Sequence, residues 1–161
     1  MDKLTIKEVA PYLPYGLNYE YINFLKESKR EVFDCEFFSL GIFRLDALKL
    51  VLRPMDDLIV FIKIGSVEIC PIVELAKIVD GSLISNLKLK SDGKNFGIKY
   101  LDSDSIETVF CFHTEINSFG IHTPFDNNFH LVSNQLELFQ KLFEWHFDVF
   151  GLIEMGLAVK L

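Results

Sequence analysis

Four turn signals, at Ser91–Lys94, Asp102–Ser105, His113–Asn117 and Pro124–Asn128, cut the middle of the chain into five short stretches of β-type sequence. Strands joined by so few residues run antiparallel beside one another, because a parallel return needs a longer crossover. A β-meander is therefore predicted there. Similar patterns read upstream. Leu17, Tyr19 and Tyr21 alternate, as do Phe33, Cys35 and Phe37, and then Leu48, Leu50 and Leu52 before Pro54 breaks the run; each stretch predicts a strand. "IVFIKIGSVEIC" predicts a hairpin turning at Gly65-Ser66, with glycine taking the positive φ. Thr5 with Glu8 has the form of a capping box and predicts a short helix closed by Pro11 and Pro14. Pro71, followed by Ile72, Leu75 and Ile78/Val79, predicts a helix stopped by Asp80-Gly81.

The most patterned stretch is "NQLELFQKLFEWHFDVFGLIEMG", residues 134–156, in which Phe, Trp and Leu are dense. Asn134 with Glu137 resembles a capping box, and Glu137, Lys141, Glu144 and Asp148 line up as one polar stripe at spacings of 4, 3 and 4. Leu136, Leu138, Phe139, Leu142, Phe143, Trp145, Phe147, Val149 and Phe150 fill most of the remaining circumference, an arc wider than one sheet face covers. The pattern predicts a long aromatic-rich C-terminal helix, bent or interrupted at Gly151. Its first assignment is core. Its second is an interface, with Phe139, Phe143, Trp145, Phe147, Phe150, Glu137, Glu144 and Asp148 as the candidate partner surface. The acidic stripe argues against a membrane-surface helix, which would carry Lys and Arg. With no repeat, linker or low-complexity segment, residues 1–161 read as a single globular domain. The fold class is α+β: a mostly antiparallel sheet of meander and hairpins, packed with a middle helix and the C-terminal helix.

Half of the 161 residues are apolar or aromatic, 16 of them Phe, which excludes a disordered chain. No apolar run is long enough to span a membrane, and the first residues lack the apolar core of a secretory signal. Cys35, Cys70 and Cys111 are odd in number and scattered, as expected of free thiols in a reducing compartment, so a cytoplasmic location is predicted. The net charge of −7 is uneven. Residues 102–161 hold only Lys141 and Lys160 against nine acids, while the rest of the chain balances. Such a field attracts basic surfaces and argues against direct nucleic-acid binding. Lys88, Lys90, Lys94 and Lys99 gather around one turn, with Asp92 among them, and read as a solvated face rather than a phosphate site.

No catalytic, nucleotide or metal motif occurs, and no cofactor is implied. One constellation has geometry. On a hairpin of residues 106–113 and 118–123, Cys111 and His113 point to one face. His122 joins them, opposite Cys111 or two positions along according to turn length. A Cys–His pair can activate a thiolate. The two histidines, however, fall roughly 7–13 Å apart along the ladder, too far to share a metal. The plainer reading is a buried cysteine packed beside two hydrogen-bonded histidines.

The stretches "APYLPYGL" (Ala10–Leu17), "LRPMDDL" (Leu52–Leu58), "PIVELAKI" (Pro71–Ile78) and "NQLELFQKLFEWHFDVFGLIEMGLAV" (Asn134–Val159) resemble a family of small uncharacterised proteins encoded by phages and prophage-like elements of gut anaerobic bacteria. The resemblance implies a setting, an accessory protein of a mobile element in the bacterial cytoplasm, and brings no activity or site residue with it. The leading expectation is a non-enzymatic protein that binds another protein. An inhibitor of a host nucleic-acid-handling or defence enzyme would suit the acid excess. The alternatives are a small thiol-dependent enzyme using Cys111 with His113 or His122, and a homo-oligomer assembled through the C-terminal helix.

Overall fold

The computed structural model describes residues 4–22, 27–32, 48–81, 85–101 and 105–161. The strand predicted at Phe33, Cys35 and Phe37, like Cys35 itself, lies outside them. The described chain is α+β with mostly antiparallel sheets, and it divides into two compact units. Both ends of the chain build the first, residues 1–55 and 142–161; the second is the continuous stretch Asp56–Lys141.

In the first unit, Thr5 caps helix α1 (Ile6–Val9) with the reciprocal Thr5–Glu8 bonds predicted from the sequence. The chain then tightens into a 3₁₀ turn over Ala10–Tyr15, where two prolines remove amide donors. Strands β1 (Asn18–Ile22), β2 (Ser28–Val32) and β3 (Leu48–Leu52) follow. Both neighbours of β1 are antiparallel to it, and Tyr19 stands opposite Leu50. Leu17, Tyr19, Leu50 and Leu52 join Val9 and Tyr12 in one core, because alternate strand residues share a face. Tyr19 and Tyr21 stack at 5.8 Å and both donate to the Glu31 carboxylate, so these tyrosines serve packing.

The second unit opens with a 3₁₀ turn, Met55–Ile59, then the hairpin of β4 (Ile62–Ile64) and β5 (Val67–Ile69), turning at Gly65 with φ +60. Helix α2 (Pro71–Asp80) begins at its proline and buries Ile72, Leu75 and Ala76. The meander is as predicted: β6 (Ser85–Ser91), β7 (Asn95–Leu101), β8 (Glu107–His113), β9 (Ser118–Thr123) and β10 (Asp126–Leu131) lie side by side in chain order. Its register sorts the side chains by face. Phe96, Phe112 and Phe119 form one row across the sheet, and Ile98, Phe110 and Ile121 the next. Both rows point inward. Phe139 closes over them, 6.2 Å from Phe112 and 5.6 Å from Phe119. Gln135 acts almost as an added strand residue, its amide giving to the Phe119 carbonyl and accepting from the Phe119 N–H.

The C-terminal helix is shorter than its sequence pattern. Helix α3 covers Gln135–Glu144, and the aromatic residues beyond it are not helical. The apolar periodicity runs on, but the backbone reverses at His146, which takes φ +60. The His146 amide bonds the Phe143 carbonyl and the Phe147 amide that of Leu142, the paired closure of a Schellman motif. Glycine usually holds that position. Here the imidazole is fixed instead by Tyr15, whose carbonyl lies 3.1 Å from Nε2. Tertiary pairing then takes over from helix propensity: Arg53 N–H donates to the His146 carbonyl and Asp148 N–H to the Arg53 carbonyl, a parallel bridge that sets Phe147 beside Arg53.

From there Asp148 directs the chain end. Its two carboxylate oxygens accept from the amides of Leu152 and Ile153, each at 2.8 Å. The turn so begun closes on Gly156 at φ +72 with a second pair of reversed bonds, Gly156 to Ile153 and Leu157 to Leu152. Strand β11 (Ala158–Lys160) emerges parallel to β3, Ala158 opposite Leu50, giving the sheet order β11-β3-β1-β2. Leu152 and Ala158 enter the core between them. Among the described residues no helix is long and apolar enough to cross a membrane.

Two outcomes follow for stability. Asp148→Ala strands two amides and is expected to lose about 2–3 kcal/mol in denaturant unfolding, with Asp148→Asn losing less because one oxygen still accepts. Burial pushes the His146 imidazole below its usual 6.5, ahead of an opposing bond to the Tyr15 carbonyl. The fold thus favours the neutral ring. That contribution is whole above pH 6.5 and is lost as pH falls through the lowered value. Unfolding measured from pH 7.5 down to 5 should show a steeper loss for the native chain than for His146→Asn, which tolerates the same φ.

Candidate functional site

The sequence singled out Cys111, His113 and His122, and the ladder of the meander brings all three to its open face. His122 stands opposite Val109, two positions along from Cys111, as the longer turn requires. His113 and His122 are then four residues apart along the ladder, about 13 Å between backbones. Among the described residues no group of three or more His, Cys, Asp and Glu is placed to hold a metal.

Three rows cross the strands on this face. The central row is Lys90, Gly97, Cys111 and Gly120, opposed in turn from β6 to β9. On one side lies the row Lys88, Lys99, Val109 and His122; on the other, Asn95, His113 and Ser118. Gly97 in the central row leaves a trough with Cys111 in its floor, and the resulting cavity measures about 690 Å³. The glycines are required by crowding. A Cβ on Gly97 would stand 2.8 Å from Cβ of Cys111, and one on Gly120 would run into the Phe129 ring. Phe129 closes the β9 end, its centroid 5.3 Å from His122 and 5.8 Å from His113.

The far end is built by the turn after β6. Asp92 accepts from the amides of Lys94 and Asn95 and from Asn95 Nδ2, at 2.9, 2.7 and 2.8 Å. This sets the side-chain amide of Asn95, because a flipped amide would put its oxygen against the carboxylate. Asn95 Oδ1 is thereby turned into the protein, where it has no partner, and His113 Nδ1 across the ladder is buried without one as well.

Nothing here activates the thiol. Burial, with the charge of Asp92 behind it, pushes Cys111 up to about 11, and no imidazole bond offsets that. A catalytic cysteine needs the opposite shift. Cys70 is a buried free thiol too, also pushed upward by burial.

The candidate partner surface divides in the same way. Trp145, at 8 % exposure, and Phe147, with none, are core residues, and Asp148 at 5 % is committed to its backbone cap. They are not surface, because the chain turns inward where the sequence pattern carries the helix onward. Phe139 is half-buried against the meander. Phe143 is half-buried edge-on to Tyr12 at 5.0 Å and stacks on Phe150 at 5.9 Å. Glu137 and Glu144 are exposed, and Phe150 retains 38 % exposure. Sequence reasoning passed over Gly97, Gly120, Asn95 and Phe129. The signal was present as a doubled Phe-Gly-Ile, at Phe96–Ile98 and Phe119–Ile121, since a lone glycine inside a strand marks a close approach.

No family model, curated protein or solved structure matches this chain.

With its pKa two units above the ordinary thiol value of 9.0, Cys111 has roughly 100-fold less thiolate at pH 8 than an unperturbed cysteine. Alkylation by iodoacetamide, followed by peptide mass spectrometry, should be slower at Cys111 than at free glutathione by about tenfold or more, the higher nucleophilicity of a basic thiolate offsetting part of its scarcity. A rate equal to glutathione or faster would revive the thiol enzyme.

Proposed function

We propose that this chain is a non-enzymatic binding protein whose partner is another protein. The observation that carries the reading is the Phe143–Phe150 stack, left open to solvent at Phe150. Met155, also exposed, follows in the same loop, and the acids Glu144 and Glu154 are exposed beside them in sequence. An apolar centre with an acidic rim suits a partner surface that is apolar within and basic around. The acid excess of residues 102–161 adds a longer-range attraction of the same sign. The basic cleft of a nucleic-acid-handling or defence enzyme has that character, and an accessory role in a bacterial mobile element is compatible with it. The protonated Cys111 supports the non-enzymatic half of the reading.

Capture of partners from bacterial lysate by the tagged chain tests it. Capture should weaken from ~50 to ~500 mM salt, over which screening shortens to a few ångströms. Phe150→Glu should abolish it while shifting Tm by only about 2 °C, because the residue is partly exposed already. Capture that survives both the substitution and the salt sinks the reading. A mass in light scattering that rises with concentration, and no longer does so in Phe150→Glu, makes the partner a second copy of the chain.

A further inference from the structure

The trough across the meander lies within the second unit and is independent of the Phe150 loop, so it stands or falls separately from the protein-binding reading. Its shape is set by the sheet. From β6 to β9 is three inter-strand spacings, about 14 Å, and Phe129 occupies the last part of that length. The walls are four residues apart along the strands, about 13 Å between backbones, and side chains from both sides narrow the space between them. The floor is low beside Cys111 because Gly97 brings no side chain there, while on the other side the Phe129 ring lies over Gly120. Its lining is apolar and aromatic at the closed end, where Phe129 meets the two imidazoles, and polar at the open end, where Lys90 and Asn95 stand.

The lining of the trough holds one cation, Lys90, against one acid, Asp92, while Lys88, Lys99 and Glu107 line a separate hollow further along the face. Glu107 pairs with Lys99, and Asp92 is engaged by three N–H donors of its own turn. Lys90, at the mouth, is exposed; among the described residues it makes no direct ion pair, though its charge acts on Glu107 from further off. The two orphaned polar atoms, Asn95 Oδ1 and His113 Nδ1, sit in the wall beside it. Native proteins leave few such atoms, and a small turn of the His113 ring presents its nitrogen to the trough. A low floor, an aromatic end wall and a lysine at the open end together define a ligand with a flat apolar body and one anionic end.

We infer that the trough formed by Gly97 and Cys111, walled by Phe129 and opening at Lys90, binds a small planar aromatic carboxylate. The ring lies over the glycine floor with its edge against Phe129, and the carboxylate reaches Lys90. Cys111 is a packing surface under the ring and takes no part in covalent chemistry.

The test compares 2-naphthoate with its neutral amide, 2-naphthamide, on the full chain, by calorimetry and by amide NMR shifts. The acid should bind one to one and move the amide signals of Gly97 and Cys111, with the amide about tenfold weaker, the worth of one charge-assisted contact. Lys90→Glu, an exposed change that leaves the core untouched, should reduce the acid to the affinity of the amide or below. Gly97→Ala should abolish binding of both, and its NMR spectrum shows whether it folds; if it does not, the Lys90 variant decides alone. No binding at millimolar acid, shifts confined to other residues, equal affinity for the two compounds, or acid binding unchanged by Lys90→Glu would each overturn the inference.

Discussion

One buried carboxylate governs how the last residues of the chain join the first. Asp148 is buried, and burial pushes its carboxyl above the usual range even though the amides of Ile153, Leu152 and Gly151 pull it down. Its backbone N–H is bonded to Arg53 at the end of β3, and its oxygens begin the turn that aims residues 158–160 at the other edge of that strand. Leu152 enters the core on the same turn. Tyr12 completes the arrangement by donating to the Phe147 carbonyl at 2.7 Å, tying the N-terminal 3₁₀ turn to the residue just before Asp148. A sheet built from the two ends of a chain pays a large loop-closure entropy, which grows only slowly with the length of the insertion. Short-range contacts alone could not hold it, so the closing contacts are buried and charge-assisted.

How much of this could be read in advance depends on where the determining contacts lie. The meander, the β4–β5 hairpin, α1 and α2 were legible because each is fixed by residues a few positions apart: a capping threonine, a proline at a first turn, a glycine at a hairpin tip. The end of α3 was not. Its stop is a histidine in a glycine position, held by a carbonyl 131 residues away, and the glycine that does appear, Gly151, comes after the helix has already ended. The same long-range cause buries Trp145, Phe147 and Asp148. A wide apolar arc was read correctly as more hydrophobic than one sheet face needs, but the excess is spread over a bridge, a turn and a strand rather than along one helix.

The open face shows a different limit. Period-two alternation placed Cys111, His113 and His122 on one face without error, since parity survives any choice of turn length by twos. What alternation cannot supply is the height of the surface between those side chains. That depends on which residues stand opposite across two further strands, and here Gly97 and Gly120 both fall in register with Cys111. Had β7 slipped by two residues, isoleucine would still face the core and parity would be unchanged, but a side chain would stand beside the cysteine and the trough would be filled. Register, not composition, makes the cavity.

Register also decides what the cysteine is for. A thiol on an open sheet face beside two imidazoles has the composition of a nucleophilic site, yet reactivity requires a base within hydrogen-bond reach and a field that favours the anion. The ladder sets His122 opposite Val109 and diagonal to Cys111, Phe129 packs beside both imidazole rings, and the charge of Asp92 disfavours the thiolate. Together these turn a catalytic inventory into a neutral, polarizable floor. A buried sulfur beside Gly97 is well suited to lie under an aromatic ring, because sulfur–aromatic contact is favourable and the glycine lets the ring approach. The same three residues that looked like chemistry in the sequence therefore serve recognition in the fold.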